Sequence, residues 1–363
     1  MKLTTAGESH GKGLVAIVEG IPAKLPVSKE RMAEELSLRG ERIGRSDRQK
    51  IEREEVEILS GVYGGETIGS PICLMIKNAD YKKVWEERTT PRPGHADLPG
   101  MQKFGFDSAR FILERASARE TAIRVASASI SKDFLHYLGI EIAGRVCSVA
   151  GIKDEGEYTF DELKKSKEIP LGILDKNKEI EAERLVEKCQ EEGDTLGGTV
   201  EIRVKNLKSG FGSCMTHDEK LDALLAYKMA SVQLCKGVRF GDEDLDKKLG
   251  KDAQDEIFYD ENKGFYRKTN HAGGIEGGMS NGEELVIYAY AKPVPTQKKG
   301  LKTVDVKTKE EKTAFFERSD TCPIFAFERI MEGVVADTLV EVIQKRLGGD
   351  SMVELKERYQ KLP

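Results

Sequence analysis

The 363-residue sequence predicts a mixed α and β chain, and three observations carry that expectation. Its first twenty residues alternate like a hairpin, a long proline-free segment at 107–137 carries helical signals, and a second long helix with a broad apolar stripe lies near the end. Both halves run strand, turn and then a long apolar helix, and the length allows one large domain or two ordinary ones. That repetition is compatible with an old duplication whose halves are about 1–148 and 193–363.

The first strand–turn–strand unit places the polar turn Gly7-Glu-Ser-His-Gly-Lys-Gly13 between Lys2-Leu-Thr4 and the apolar Leu14-Val-Ala-Ile-Val18. Ser28 opens a helix whose Met32 and Leu36 share a face and whose end delivers Arg39. An arginine ladder follows, Arg39, Arg42, Arg45 and Arg48, interrupted by Gly40 and Gly44. Strands are expected at 56–59 and 72–76, and a loop rich in Pro and Gly at 90–97 leads to the helix at 107–137. Asp107 is read as its N-cap and Gly139 as its stop. Within it, Arg110 and Arg124 have acidic neighbours three or four positions away and read as surface pairs. Arg115 and Arg119 have none, so either an anion or carboxylates from elsewhere in the fold must answer them.

Residues 149–192 turn highly charged, with only modest helical periodicity, and read as a peripheral insertion. A second core follows: a strand near 199–204, a helix over about 218–235, the glycine-rich stretch 269–278, a turn at Asn281-Gly282 and a strand at 284–291. The last long helix covers about 325–347 with a stripe of Phe327, Ile330, Met331, Val334, Val335, Leu339 and Val342, and Gly348 ends it.

A net charge of only −5 and a pI near 5.8 offer no general cationic field for nucleic acid, so any anion must be held locally. No apolar run is long enough for a membrane helix. The six cysteines are scattered, without a CxxC pair or a secretory leader, which fits reduced thiols in a cytoplasmic protein and gives no metal site. His10 lies on a glycine turn, and His95 sits in a loop stiffened by Pro91 and Pro93 beside Arg92 and Asp97. Arginines from the ladder, with Arg92, Arg115 and Arg119, would suit a small molecule bearing several anionic groups. A lyase or isomerase acting on a phosphorylated sugar acid, and an RNA-binding module using the ladder, are the competing readings of these residues.

Taken together, Gly7-Glu-Ser-His-Gly11 with Glu19-Gly-Ile-Pro22, Arg92-Pro-Gly-His-Ala-Asp97, Arg115-Ala-Ser-Ala-Arg-Glu-Thr121, Ala272-Gly-Gly-Ile-Glu-Gly-Gly278, Lys292-Pro-Val-Pro-Thr296 and Arg318-Ser-Asp320 resemble the chorismate synthase family. The segments occur in the family's order along nearly the whole chain, the charged insertion apart. The resemblance implies a single domain over 1–363 with a layered α+β fold, a β-α-β sandwich with central helices between antiparallel sheets, assembled as a homotetramer. It implies anti 1,4-elimination of phosphate from 5-enolpyruvylshikimate 3-phosphate to give chorismate, with reduced FMN required and no net redox change. By the same analogy His10, His95 and Asp320 move or hold protons. FMN would meet Arg115, Ala116, Ser117, Gln233, Leu234, Gly277, Lys292, Pro293, Val294, Pro295, Thr296 and Arg318. Arg39, Arg45, Arg48, Arg92 and Arg119 would meet the substrate, Arg39 and Arg45 also NADPH. NADPH is the indirect reductant, and the compact length favours a separate flavin reductase as partner. Ala116, Gln233, Leu234 and His271 depart from the family's usual Ser, Asn-Ala and Asn, which leaves backbone contacts intact and side-chain contacts there open.

Overall fold

The computed structural model describes every residue except 41, 47–51, 53 and 263. Its first sheet contains β1 (Lys2–Gly7), β2 (Gly13–Glu19), β3 (Val56–Ser60) and β4 (Ile72–Lys77), in the spatial order β1-β2-β4-β3 with every pairing antiparallel. Side chains alternate across a strand, so Leu14, Ala16 and Val18 of β2 face inward beside Ile72, Leu74 and Ile76 of β4. The second sheet contains β5 (Glu141–Val149), β6 (Ile152–Lys153), β7 (Gly198–Lys205), β8 (Cys235–Phe240) and β9 (Leu285–Ala291). Its order is β8-β9-β7-β5-β6, again antiparallel, and Val200, Ile202, Val204, Leu285, Ile287 and Ala289 form the inward face.

Two long helices, Thr121–Tyr137 and Ile324–Leu347, lie between the sheets and bury more than one face, in keeping with elements sandwiched on both sides. In chain order the main helices are α1 (Lys29–Gly40), α2 (Asp97–Phe104), α3 (Arg110–Ala116), α4 (Thr121–Tyr137), α5 (Lys176–Glu192) and α6 (Leu221–Ala230). The long α7 (Ile324–Leu347) follows them. Helix α4 packs on β2 and β4, α7 packs on β5, β7 and β9, and the two helices pack on each other. At their crossing a Cβ on Gly333 would come within 2.7 Å of the Ala128 methyl, so glycine sets how closely these backbones approach. The layered architecture expected from the resemblance is therefore the one observed.

Several local expectations differ. The helix expected over 107–137 is broken: α3 ends at Ala116, Ser117 is extended, a single 3-10 turn spans Ala118–Glu120, and α4 starts at Thr121. The Ser117 hydroxyl accepts from the Arg119 amide, a side-chain cap that competes with continuing the helix. Asp107 is not the N-cap, because α3 starts after Ala109, and the Ser108 hydroxyl accepts from the Arg110 amide at 3.2 Å instead. The expected helix over 218–235 stops at Ala230, and β8 begins at Cys235. Residues 149–192 are packed into the body of the fold, since Leu171, Ile173, Ala182 and Val186 join the main core and β6 extends the second sheet. Among the described residues no helix is long and apolar enough to cross a membrane, and no group of His, Cys, Asp and Glu could hold a metal ion.

Candidate active site

A cavity of about 640 Å³ opens where the turn after β1, the end of α1, loop 78–96, α3, and segments 232–234, 292–296 and 316–323 meet the first turns of α7. That volume lies within the ~300–1,000 Å³ of small-molecule sites. Among the described residues, seven lining side chains are cationic (Arg39, Arg45, Lys82, Arg92, Arg119, Lys292, Arg318) and three are carboxylates (Asp80, Glu317, Asp320). The rest of the wall is largely apolar, with Leu113, Ala116, Val232, Leu234, Val294, Phe316, Phe327 and Ile330. Cations beside an apolar surface suit a ligand that combines a flat ring with anionic groups.

Both histidines singled out from the sequence line this cavity, and a buried carboxylate backs each. The His10 Nδ1 lies 2.9 Å from Glu114 Oε1, and the His10 amide donates to Glu114 Oε2 at 2.7 Å. The Nε2 lies 3.7 Å from Asp80. Burial pushes the Glu114 carboxyl up, but the His10 ring and amide and the Arg110 guanidinium outweigh it and hold it below its ordinary value. The His95 Nδ1 lies 2.5 Å from Asp97 Oδ1, and Arg92 donates to Asp97 Oδ2 from Nε at 2.8 Å and from its amide at 3.0 Å. Burial pushes Asp97 up as well, yet the bonds from His95 and Arg92 hold it well below the usual carboxylate range.

The arginines come together, already paired. Arg119 is buried and meets Glu54 at 2.5 Å and Glu52 at 3.2 Å, and Arg39 meets Glu54 at 2.8 Å. Arg45 pairs with Asp320, whose other oxygen accepts from the Ser46 amide at 2.8 Å. So the uncompensated charge read at Arg119 is answered by carboxylates from residues 52–54, as burying a guanidinium requires. Lys292 bonds the Gly94 carbonyl at 2.5 Å, and burial with nearby Lys236 pulls its pKa down.

Ala116, Ser117, Gln233, Leu234, Val294, Pro295, Thr296, Arg318 and Asp320 also line the cavity. Three expected cofactor contacts lie off it: Arg115, Gly277 and Pro293. Arg115 follows Leu113 by two positions, roughly 200° round the helix, and its exposed guanidinium bonds Thr5 Oγ1 at 2.8 Å, with Glu120 at 3.9 Å. Gly277 turns the short hairpin between Ile275–Glu276 and Met279–Ser280, away from the cavity lining. Pro293 is absent from the lining too, its neighbours on either side being present. Arg48 falls outside the described residues. Sequence reasoning missed Glu114 and misread Arg110 as a surface residue. Arg110 is buried and meets Glu114 and Glu317 at 2.9 Å each, but no spacing rule links either residue to His10, about a hundred positions earlier. Asp80, Lys82 and Phe316 were missed in the same way.

The buried Gln233 Oε1 has no hydrogen-bond partner although its side chain borders the cavity. Its amide nitrogen is 3.3 Å from Glu120, so the side chain turns an acceptor, not a donor, toward this part of the cavity wall.

Comparison with known proteins gives the same answer along nearly the whole chain. The family model described as chorismate synthase matches residues 1–343. A chorismate synthase of Caldanaerobacter subterraneus subsp. tengcongensis is 46% identical over 365 residues, covering 99% of this chain and 97% of the relative. One of Thermus thermophilus is 44% identical over 376 residues, covering 99% and 98%. A solved crystal structure of chorismate synthase superposes with a TM-score of 0.81 at 34% identity, covering 99% of this chain and 96% of that one. On its fold and sequence alike, the chain belongs to the chorismate synthase family.

Proposed function

We propose that the 640 Å³ cavity is where this chain carries out the family's reaction, the last step of the shikimate pathway, with His10 and His95 as its proton-handling groups. The observation that carries the reading is the convergence, on one cavity, of two carboxylate-backed histidines, a cationic wall and an apolar floor. The substrate, 5-enolpyruvylshikimate 3-phosphate, brings a phosphate and two carboxylates. Arg39, Arg45, Arg92 and Arg119, held by their own carboxylates, present guanidinium edges of fixed orientation to those groups, and preorganised charge of this kind stabilises a departing anion. Arg48 belongs to the same proposal. His10 supplies a proton to the leaving phosphate from Nε2, His95 holds a proton beside the cofactor, and Asp320 assists acceptance of the ring proton that the elimination releases.

The residues present fit reduced FMN. The apolar floor of Ala116, Val232, Leu234 and Val294 suits a flat ring, the orphaned Gln233 Oε1 can accept from a ring N–H, and Lys292 and Arg318 can meet its phosphate. When bound, the reduced flavin would supply electron density to the allylic system, and the apolar wall of Ala116, Val232, Leu234 and Val294 would limit water beside it. NADPH would serve as the indirect reductant through a separate flavin reductase, so dithionite-reduced FMN should support turnover where NADPH with oxidised FMN does not. The same reading carries a homotetramer, which sedimentation of the purified protein checks.

The test is an anaerobic assay of phosphate release with dithionite-reduced FMN. The parent should release phosphate in step with chorismate, and His10→Ala and His95→Ala should each lower turnover by about a hundredfold or more. Parent-like turnover in both variants would remove the proton-transfer roles.

A further inference from the structure

We propose that Glu114 is the positioning residue for His10, fixing which ring nitrogen faces the reacting phosphate; this rests on the reading of the cavity given above. The Glu114 side chain is fully buried and grips His10 twice, by the amide at 2.7 Å and by Nδ1 at 2.9 Å. An ionised carboxylate only accepts, so Nδ1 must carry the proton in that bond. Arg110 Nη2 is 3.4 Å from the same Nδ1, but a guanidinium only donates, so the two cannot bond, and Arg110 instead meets Glu114 at 2.9 Å. Nε2 is therefore left as the nitrogen whose proton can be given up, and it points to the Asp80 side of the cavity. Carboxylate, histidine and arginine recur in the same relation at Asp97, His95 and Arg92, which makes the device a feature of the site and not an accident of one helix.

The groups facing His10 come from three elements. Helix α3 supplies Glu114 and Arg110, loop 78–96 supplies Asp80, and segment 316–323 supplies Glu317 through Arg110 at 2.9 Å and Arg318 through Asp80 at 2.6 Å. Of these only Glu114 accepts from the ring at hydrogen-bond distance. A glutamine there has one acceptor oxygen for three donors, so it cannot hold both the amide and Nδ1 of His10 while meeting Arg110.

The experiment compares the parent, Glu114→Gln and Glu114→Asp as full-length proteins. Anaerobic turnover with dithionite-reduced FMN is followed across neutral and alkaline pH, and the ligand-free proteins are labelled with 15N-histidine for NMR, with His10→Ala assigning the signal. In Glu114→Gln, kcat should fall by roughly 10- to 100-fold, the scale for partners behind a functional histidine, with KM changed far less. The alkaline limb of its kcat profile should move to lower pH, because an acid group that loses a neighbouring negative charge keeps its proton less well. Glu114→Asp should restore part of the turnover and return the limb toward the parent's. At alkaline pH the parent's His10 should show the Nδ1–H tautomer, and Glu114→Gln should gain the Nε2–H form. A parent already in the Nε2–H form overturns the inference even if the variants fail to fold. So does a folded Glu114→Gln with turnover within about twofold of the parent and an unmoved limb. A parent that forms no chorismate but shows the tautomer change sinks the functional reading and leaves the positioning role standing.

Discussion

Replacing Asp97 by asparagine should be among the most damaging single-atom changes near the cavity. Asp97 is wholly buried and accepts from the Arg92 amide at 3.0 Å, Arg92 Nε at 2.8 Å, Arg92 Nη2 at 3.1 Å and His95 Nδ1 at 2.5 Å. Asparagine keeps one acceptor and turns a donor toward those donors, leaving the buried Arg92 guanidinium without its carboxylate. Breaking a buried pair in this way costs about 3–5 kcal/mol. The pH dependence has a definite sign. Since the folded carboxyl is held well below its unfolded value, its charge stabilises the fold above the unfolded pKa of roughly 3.9, and the benefit is lost as pH falls toward the folded value. Denaturant midpoints of parent and variant should therefore differ most near neutral pH and converge in acid. A neutral-pH deficit below about 1 kcal/mol, or an equal deficit in acid, would refute the buried-pair account.

Two further outcomes follow from other buried polar groups. Gln233→Leu removes an acceptor that lacks a partner, so stability should change by less than about 1 kcal/mol while FMN affinity, read by fluorescence titration, weakens roughly tenfold; unchanged affinity would take Gln233 out of the cofactor site. Asp337, bonded to Ser131 at 2.6 Å between the sheets, is pushed up to about 6 by burial. A raised carboxyl costs stability as pH climbs from the unfolded value through the folded one, so Asp337→Asn should stabilise the protein by roughly 1–3 kcal/mol at neutral pH, with the gain vanishing in acid. A variant less stable than the parent at neutral pH would contradict this.

What the sequence disclosed was what short-range chemistry encodes. The alternation of Leu14, Ala16 and Val18 marked β2, and Gly348 marked the end of α7. The α2 helix stayed hidden because Pro99 and Gly100 look like loop residues. Yet Pro99 sits in its first turn, where no amide bond is lost, and Gly100 lets Ile112 approach to 2.6 Å of where a Cβ would stand. Arg119 read as uncompensated because its partners Glu52 and Glu54 lie more than sixty positions away. For the same reason His10 and His95 were visible in their motifs, but Glu114 was not. A carboxylate four residues after an arginine carries the pattern of a surface pair until the fold buries both.

The most direct measurement is an anaerobic crystal structure of this chain with reduced FMN and 5-enolpyruvylshikimate 3-phosphate. Both molecules should occupy the cavity between α3 and the start of α7, with the phosphate in hydrogen-bond reach of His10 Nε2 and a flavin ring on the Ala116 and Leu234 side. Density for either molecule elsewhere instead, such as the smaller cavity lined by Arg31, Lys132 and Lys165, would contradict the account.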